Sequence, residues 1–445
     1  MIDNTDKKKI IALYILAGSL TLFMFIYMMI NLWFEASTPE SASISDMSSI
    51  NTLHNNNTNN IYANINDTAN KINITDLTNT AEIILSEEEI TEQKIDAMIK
   101  NMTLEQKIGQ MFFCAFRKDN NGGDIVEINE DIKKIIRGCN IGGVILFSEN
   151  IKEKQQVTDY ICDLQKEADI ALFIGIDEEG GRVLRTENLD VPRISSALNI
   201  GKTGDVKNAY DAAKTIADYL SPLGFNVDFA PVADVFTNPS NTVIGDRAFS
   251  SDPNIAGEMV KSFSQGLVDN KILPAIKHFP GHGDTGEDSH YGTAVSKKTL
   301  GQLSECEFIP FKMGIESNVP FVMAGHISTP DINNSDSDSD SGENNLPAVF
   351  SRFLLRDILR GALGFNGIII TDSLSMGAIT NYYSSEETAV KSILAGVDIL
   401  LMPEDFYGAY YGVINAVNSG KITEERIDES VKRIFTVKYN AGLIK

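Results

Sequence analysis

Residues 273–292 read LPAIKHFPGHGDTGEDSHYG, and the place where this stretch changes character decides the fold. Its first residues are a short apolar run that reads as a buried strand. Beyond Phe279, any helix is broken repeatedly by Pro280, Gly281, Gly283 and Gly286. Three of the chain's five histidines, His278, His282 and His290, fall in this one stretch. The reading is a strand that runs out into a histidine-rich loop, which is where α/β folds place their chemistry.

The same pattern recurs on both sides. The runs MFFCAF (111–116), GGVILFS (142–148), ALFIGID (171–177) and NVDFAPVADV (226–235) read as strands. So do LPAIKHF (273–279), PFVMAGHIS (320–328), GIIITD (367–372) and GVDILLM (396–402). Between them lie helix-like segments such as NAYDAAKTIADYL, PNIAGEMVKSFSQGLV and SRFLLRDILRGAL. Eight strands alternating with helices predict an α/β fold, a (β/α)8 barrel forming a single catalytic domain over 82–445. A doubly wound open sheet is the alternative. Polar residues finish the apolar runs: Asp177, Asp234, Lys277 with His278, His326 and Asp372. In a barrel all of these face one mouth, which makes them a site rather than scattered caps.

The composition limits the partners. With 38 basic and 61 acidic residues the net charge is −23, a surface that repels phosphate backbones, so nucleic acid is excluded. The four cysteines, Cys114, Cys139, Cys162 and Cys306, show no metal-ligand spacing and read as buried free thiols. At the N-terminus Lys7–Lys9 precede an uncharged run from Ile10 to Phe34. As a helix it would rise about 37 Å, enough to span a bilayer with some tilt. Trp33, the only tryptophan, stands where an interfacial anchor belongs. The basic flank stays in the cytoplasm, so residues 1–35 read as a stub and membrane anchor with the rest outside the cytoplasm. A cleaved signal peptide, leaving a secreted protein, is the rival; its apolar region is usually about 7–15 residues. Residues 36–81 are rich in Ser, Thr and Asn and read as a disordered spacer, about 35–40 Å end to end. The acidic stretch NNSDSDSDSGENN (333–345) lacks the spacing of a calcium loop and reads as a solvated insertion.

The histidine loop admits three readings. His278, His282, His290 and Asp284 are candidate zinc ligands, yet HFPGH is no helix and matches no standard ligand frame, so no metal and no cofactor are expected. Asp288 and His290, two apart, can pair carboxylate to imidazole, an arrangement for general acid–base work. An ordinary solvated loop is the third.

Taken together, KHFPGHGDTGEDSH (277–290), IDEEGGRVLR (176–185), IGDRAF (244–249) and IITDSLSMGAI (369–379) resemble glycoside hydrolase family 3, in its bacterial β-N-acetylhexosaminidase branch. The resemblance runs from about residue 95 to the C-terminus. It implies a retaining hydrolase acting on terminal β-linked N-acetylglucosamine in cell-wall-derived or other glycans. It implies that Asp372 is the nucleophile, His290 the loop-borne acid/base and Asp288 its partner. It also implies that Asp177, Arg185, Arg247, Lys277 and His278 grip the sugar, while His282 and Asp284 shape the loop. Asp372 has an alternative role as a helix N-cap. In the family's β-glucosidase branch a second domain supplies a glutamate as acid; here the chain stops at Lys445 after the last barrel helix, which leaves His290 for that role. The expected partners are carbohydrate and, through the anchor, membrane, with the protein a monomer. The alternatives are a family 3 β-glucosidase-type hydrolase or glycoside phosphorylase, or a surface glycan-binding barrel without activity.

Overall fold

LPAIKHF forms a strand over its whole predicted length, Leu273–Phe279, buried from Pro274 onward. It is the fifth of eight strands in a computed structural model that describes residues 86–286, 294–332 and 346–445. The proposed anchor and spacer, the acidic insertion, and both Asp288 and His290 lie outside the described residues.

The eight strands are β1 (Phe112–Ala115), β2 (Gly143–Ile145), β3 (Phe173–Ile176) and β4 (Val227–Asp228). They continue with β5 (Leu273–Phe279), β6 (Phe321–Ala324), β7 (Ile368–Thr371) and β8 (Leu400–Leu401). All neighbours pair in parallel, in chain order from β1 to β7, with β8 on the free side of β1. A parallel bridge between Ile370 and Ile399 joins the two ends, with Thr371 N–H donating to Ile399 O at 3.0 Å. The ladder therefore comes round on itself as a barrel, and the open-sheet alternative falls. Because every strand runs the same way, their C-terminal ends share one mouth.

The barrel is filled by rings that glycines make room for. Phe113 lies 6.4 Å from Phe173 and 5.4 Å from Phe229, and Phe173 lies 5.3 Å from Phe321. A Cβ on Gly143 would stand 2.7 Å from the Phe113 ring, and one on Gly175 would stand 2.7 Å from the Phe229 ring. Any side chain at either glycine would collide with this plug. Helices cover the outside, and several are started by a residue suited to the task. Asp205 caps Val206–Leu223, which ends at Gly224 (φ 101°), and Asp252 caps Pro253–Asp269, with proline in its first turn.

Three expectations need correction. NVDFAPVADV is regular strand only at Val227–Asp228; past Pro231, which has no N–H to donate, it touches β5 again through a single parallel bridge from Val232 to Lys277, with Ala233 N–H donating to Lys277 O at 2.5 Å. PFVMAGHIS divides after Ala324: Gly325 N–H bonds back to Phe279 O, and Ile327–Ser328 pairs with Ala294–Val295 in a separate small ladder. The segment SRFLLRDILRGAL is wider than an α-helix, with Phe353–Ala362 in π-helical form and Leu363 N–H donating to Ile358 O at 2.8 Å. All four thiols are free, but only Cys114 and Cys139 are buried; Cys162 is exposed and Cys306 half-buried. Among the described residues no helix is long and apolar enough to cross a membrane, and no three His, Cys, Asp or Glu are grouped to hold a metal ion.

Candidate active site

The barrel mouth opens into a cavity of about 660 Å3. Six of the residues picked out in the sequence line it: Asp177, Arg185, Arg247, Lys277, His278 and Asp372. They come from four places that the strand ends bring together. Asp177 follows β3, Lys277 and His278 lie within β5, and Asp372 follows β7, while Arg247 sits on a single 3₁₀ turn, Gly245–Arg247.

The loop after β3 is organised by a buried acid. Glu178 accepts hydrogen bonds from Arg185 N–H (2.7 Å), Thr186 Oγ1 (2.5 Å) and Tyr219 Oη (2.9 Å), and its own N–H donates to Asp228 Oδ1 at 2.9 Å. Burial raises the pKa of both Glu178 and Asp228, a rise those hydrogen bonds resist. Gly180 and Gly181, at φ 82° and 58°, make the turn that points Glu179 back into the cavity.

From that turn grows a chain of alternating charges. Lys277 Nζ stands 2.7 Å from Asp177 Oδ1 and 2.6 Å from Glu179 Oε1. Arg247 forks onto Glu179, with Nε to Oε2 and Nη2 to Oε1 both at 2.8 Å. Burial alone would discharge these groups. The pairing outweighs it, so Lys277 and Arg247 have raised pKa values and Glu179 a lowered one. Arg185 is held more loosely: Nη2 is 3.6 Å from Asp177 Oδ2, its guanidinium carbon lies 5.4 Å from the Phe147 ring centre, and its buried Nε has no hydrogen-bond partner among the described residues.

On the other wall Asp234 gathers the histidines. Its carboxylate, fully buried, is 2.7 Å from His278 Nδ1 and accepts the backbone N–H groups of His278 (3.2 Å) and His282 (2.6 Å). This contact directs His278 Nε2 away from Asp234. His282 Nδ1 lies 2.7 Å from Thr285 Oγ1, and burial lowers its pKa against the pull of Asp234. Asp284 contacts Thr237 Oγ1 at 3.3 Å and Lys298 Nζ at 3.6 Å, on the outside of the loop.

Asp372 faces both walls. Its N–H bonds to Ala324 O at 2.8 Å, which fixes the backbone, and Ser373 N–H donates to its Oδ1 at 2.7 Å. Burial pushes the carboxyl pKa up, but the charge of His278 and His326, the Ser373 N–H and Lys277 together bring it below its ordinary value. An ionised carboxylate sits rigidly on a strand end. It is not a helix cap: the helix that follows, Gly377–Thr380, starts after Met376.

Four participants went unassigned in the sequence. Asp234 and His326 stood out only as strand-end residues; His326 Nε2 lies 2.8 Å from Ser373 O, beside the nucleophile candidate. Glu179 was hidden in IDEEGGRVLR, next to the more obvious Asp177. Arg182, which bonds Asp246 Oδ1 (2.9 Å) and the carbonyl of Val243 (2.7 Å), carries no signal in a single sequence.

A parallel (β/α)8 barrel thus carries an ionised aspartate, paired cations and a buried histidine at its mouth. The sequence pattern of the glycosyl hydrolase family 3 N-terminal domain matches residues 103–437, and the chain belongs to that family. It is 31% identical over 366 residues to beta-hexosaminidase A of Pseudoalteromonas piscicida, covering 76% of this chain and 61% of that protein. It is also 31% identical over 320 residues to beta-hexosaminidase LpqI of Mycobacterium tuberculosis, covering 69% of this chain and 78% of that one. Among solved structures, a family 3 beta-N-acetylglucosaminidase from Paenibacillus sp. str. FPU-7 superimposes with a TM-score of 0.72 at 35% identity, over 77% of this chain and 63% of that one.

Proposed function

We propose that this chain is a retaining β-N-acetylhexosaminidase that removes terminal β-linked N-acetylglucosamine from glycans, cell-wall fragments among them. The observation that carries the reading is Asp372, ionised at the end of β7 and facing the cavity that Lys277, Arg247 and Asp177 share. The family and the names of the relatives support the substrate class.

In this reading Asp177, Lys277 and Arg185 hold the sugar hydroxyls, with Arg247 and His278 completing the grip. Several directed hydrogen bonds fix the ring so that its anomeric carbon presents one face to Asp372. Asp372 attacks that carbon as the glycosidic bond breaks, giving a covalent glycosyl ester. His290, oriented by Asp288, protonates the departing oxygen; these two roles rest on the sequence resemblance. Water then enters on the vacated face with His290 as base, and two inversions restore the starting configuration. A protein membrane-anchored through residues 10–34, with its barrel outside the cytoplasm, would carry out this reaction on extracytoplasmic glycans.

The test is hydrolysis of chromogenic β-N-acetylglucosaminide and β-glucoside by the purified chain. Strong preference for the first is expected, and equal turnover of both would move the protein to another branch of the family. For location, protease added to intact cells is expected to release an active fragment. Activity found wholly in the cytosol would remove the anchor.

A further inference from the structure

Glu179 is more deeply buried than any acid that would touch the sugar, and both its oxygens are occupied. Its side chain is 4% exposed; Oε1 faces Lys277 Nζ at 2.6 Å and Arg247 Nη2 at 2.8 Å, and Oε2 faces Arg247 Nε at 2.8 Å. Asp177, by contrast, is 17% exposed and has one oxygen on Lys277 while the other lies 3.6 Å from Arg185. The two acids share one lysine but have different tasks: Asp177 has an oxygen free for a hydroxyl, and Glu179 does not.

We infer that Glu179 is a positioning residue of the hydrolase proposed above, acting through Lys277 and Arg247 to aim both cations at the sugar. The inference rests on that reading of the site. Three cations, Lys277, Arg247 and Arg185, meet here, and among the described residues only Asp177 and Glu179 lie directly against them. Asp228 on β4 and Asp372 after β7 also face Lys277, and His278 is its neighbour on β5. Without the charge of Glu179, Lys277 would stand beside Arg247 with Asp177 as the one close acid among the described residues. Burial and Arg247 already work against the lysine's proton, and Asp177 and Glu179 are what hold it there. Arg247 would lose its fork and keep, among the described residues, the Val243 carbonyl, 3.1 Å from Nη1.

The experiment is the pH profile of kcat/KM for Glu179→Gln in the full chain. The substrate is an aryl β-N-acetylglucosaminide with an activated leaving group, which departs without protonation and so keeps His290 out of the profile. The variant is expected to bring in a loss of activity on the alkaline side about 1–3 pH units below any such loss in the wild type. Its KM at pH 7 should rise about tenfold or more, as one charge-assisted contact is worth about that factor. Glu179→Asp, which keeps the charge but draws it back, is expected to raise KM while leaving the alkaline limb where the wild type has it. A Glu179→Gln enzyme with lower activity and an unmoved alkaline limb would overturn the inference, since a merely structural role predicts that result. If Glu179→Gln shows no native melting transition, the Asp variant decides alone, and an unchanged KM or a moved limb overturns it. A wild type that cleaves no β-glycoside removes the hydrolase reading itself; an active wild type with an unmoved limb in the Gln variant removes only this role of Glu179.

Discussion

Replacing Lys438 by methionine is predicted to stabilise the protein at neutral pH and to lose that advantage as the pH rises. Lys438, on the last helix, Glu424–Asn440, is fully buried and reaches under the barrel, where Nζ lies 2.8 Å from Gln110 Oε1 and 4.9 Å from the Phe173 ring centre. Burial without an acid partner brings its pKa down from 10.5 to about 7. The unfolded chain therefore holds this proton up to about pH 10 while the folded one releases it near 7, so stability rises with pH across that window. At about 1.36 kcal/mol per unit, the lysine costs the fold about 5 kcal/mol well below pH 7, about 4 kcal/mol at pH 7, and about 1 kcal/mol near pH 9.5. Methionine removes that cost but leaves the Gln110 carbonyl oxygen without its donor, a penalty of about 1–3 kcal/mol. The net gain is about 1–3 kcal/mol at pH 7, and near pH 9.5 it falls to between nothing and a loss of about 2 kcal/mol. For a barrel of this size that gain corresponds to a Tm increase of about 1–4 °C. Thermal unfolding of wild type and Lys438→Met, followed by circular dichroism from pH 6.5 to 9.5, measures the gap. A gap that does not change with pH, or a variant less stable at every pH, would refute the reasoning.

Three further outcomes are expected. His290→Ala should slow glycosidic cleavage most for poor leaving groups and least for activated aryl ones, with Asp288→Ala a milder version; a leaving-group series that is unaffected would remove the acid/base assignment. Deleting residues 335–343 should leave Tm within about 2 °C and most activity intact, because a polar insertion adds little buried surface; a large drop, or metal-dependent activity that disappears with the loop, would contradict this. Gly175→Val should destabilise by about 3 kcal/mol or more, since its Cβ would stand 2.7 Å from the Phe229 ring and 2.8 Å from the Phe113 ring; a variant with the wild-type Tm would mean that the plug is looser than described.

The barrel was readable because parallel strands buried on both faces are short apolar runs, and the polar residue that ends each run projects into the mouth. That rule located Asp177, Lys277, His278 and Asp372 before any coordinates. Arg185 and Arg247 needed the family resemblance, since they sit on loops where charge is common. Glu179 stayed hidden because its importance comes from pairing, with Lys277 nearly a hundred residues on and Arg247 on another loop. The short β4 escaped because an apolar run does not show where regular pairing lapses: here it stops at Asp228 and returns as one bridge at Val232, past Pro231. Lys438 shows the opposite failure. In VKRIFTVKYN it reads as one more solvent-facing lysine on an amphipathic helix, and only the packed fold shows that its position faces the barrel floor.

The central claim is that Asp372 forms the covalent bond to sugar, and one measurement addresses it most directly. Wild-type enzyme is treated with a slow-turnover fluorinated sugar substrate that lets the glycosyl-enzyme accumulate, then digested and analysed by peptide mass spectrometry. The account predicts a mass increase of one fluorosugar on the peptide carrying GIIITDSLSM, located at Asp372, and no such label in Asp372→Gly. A label on any other carboxylate of the cavity, Asp177 or Glu179 included, would contradict it.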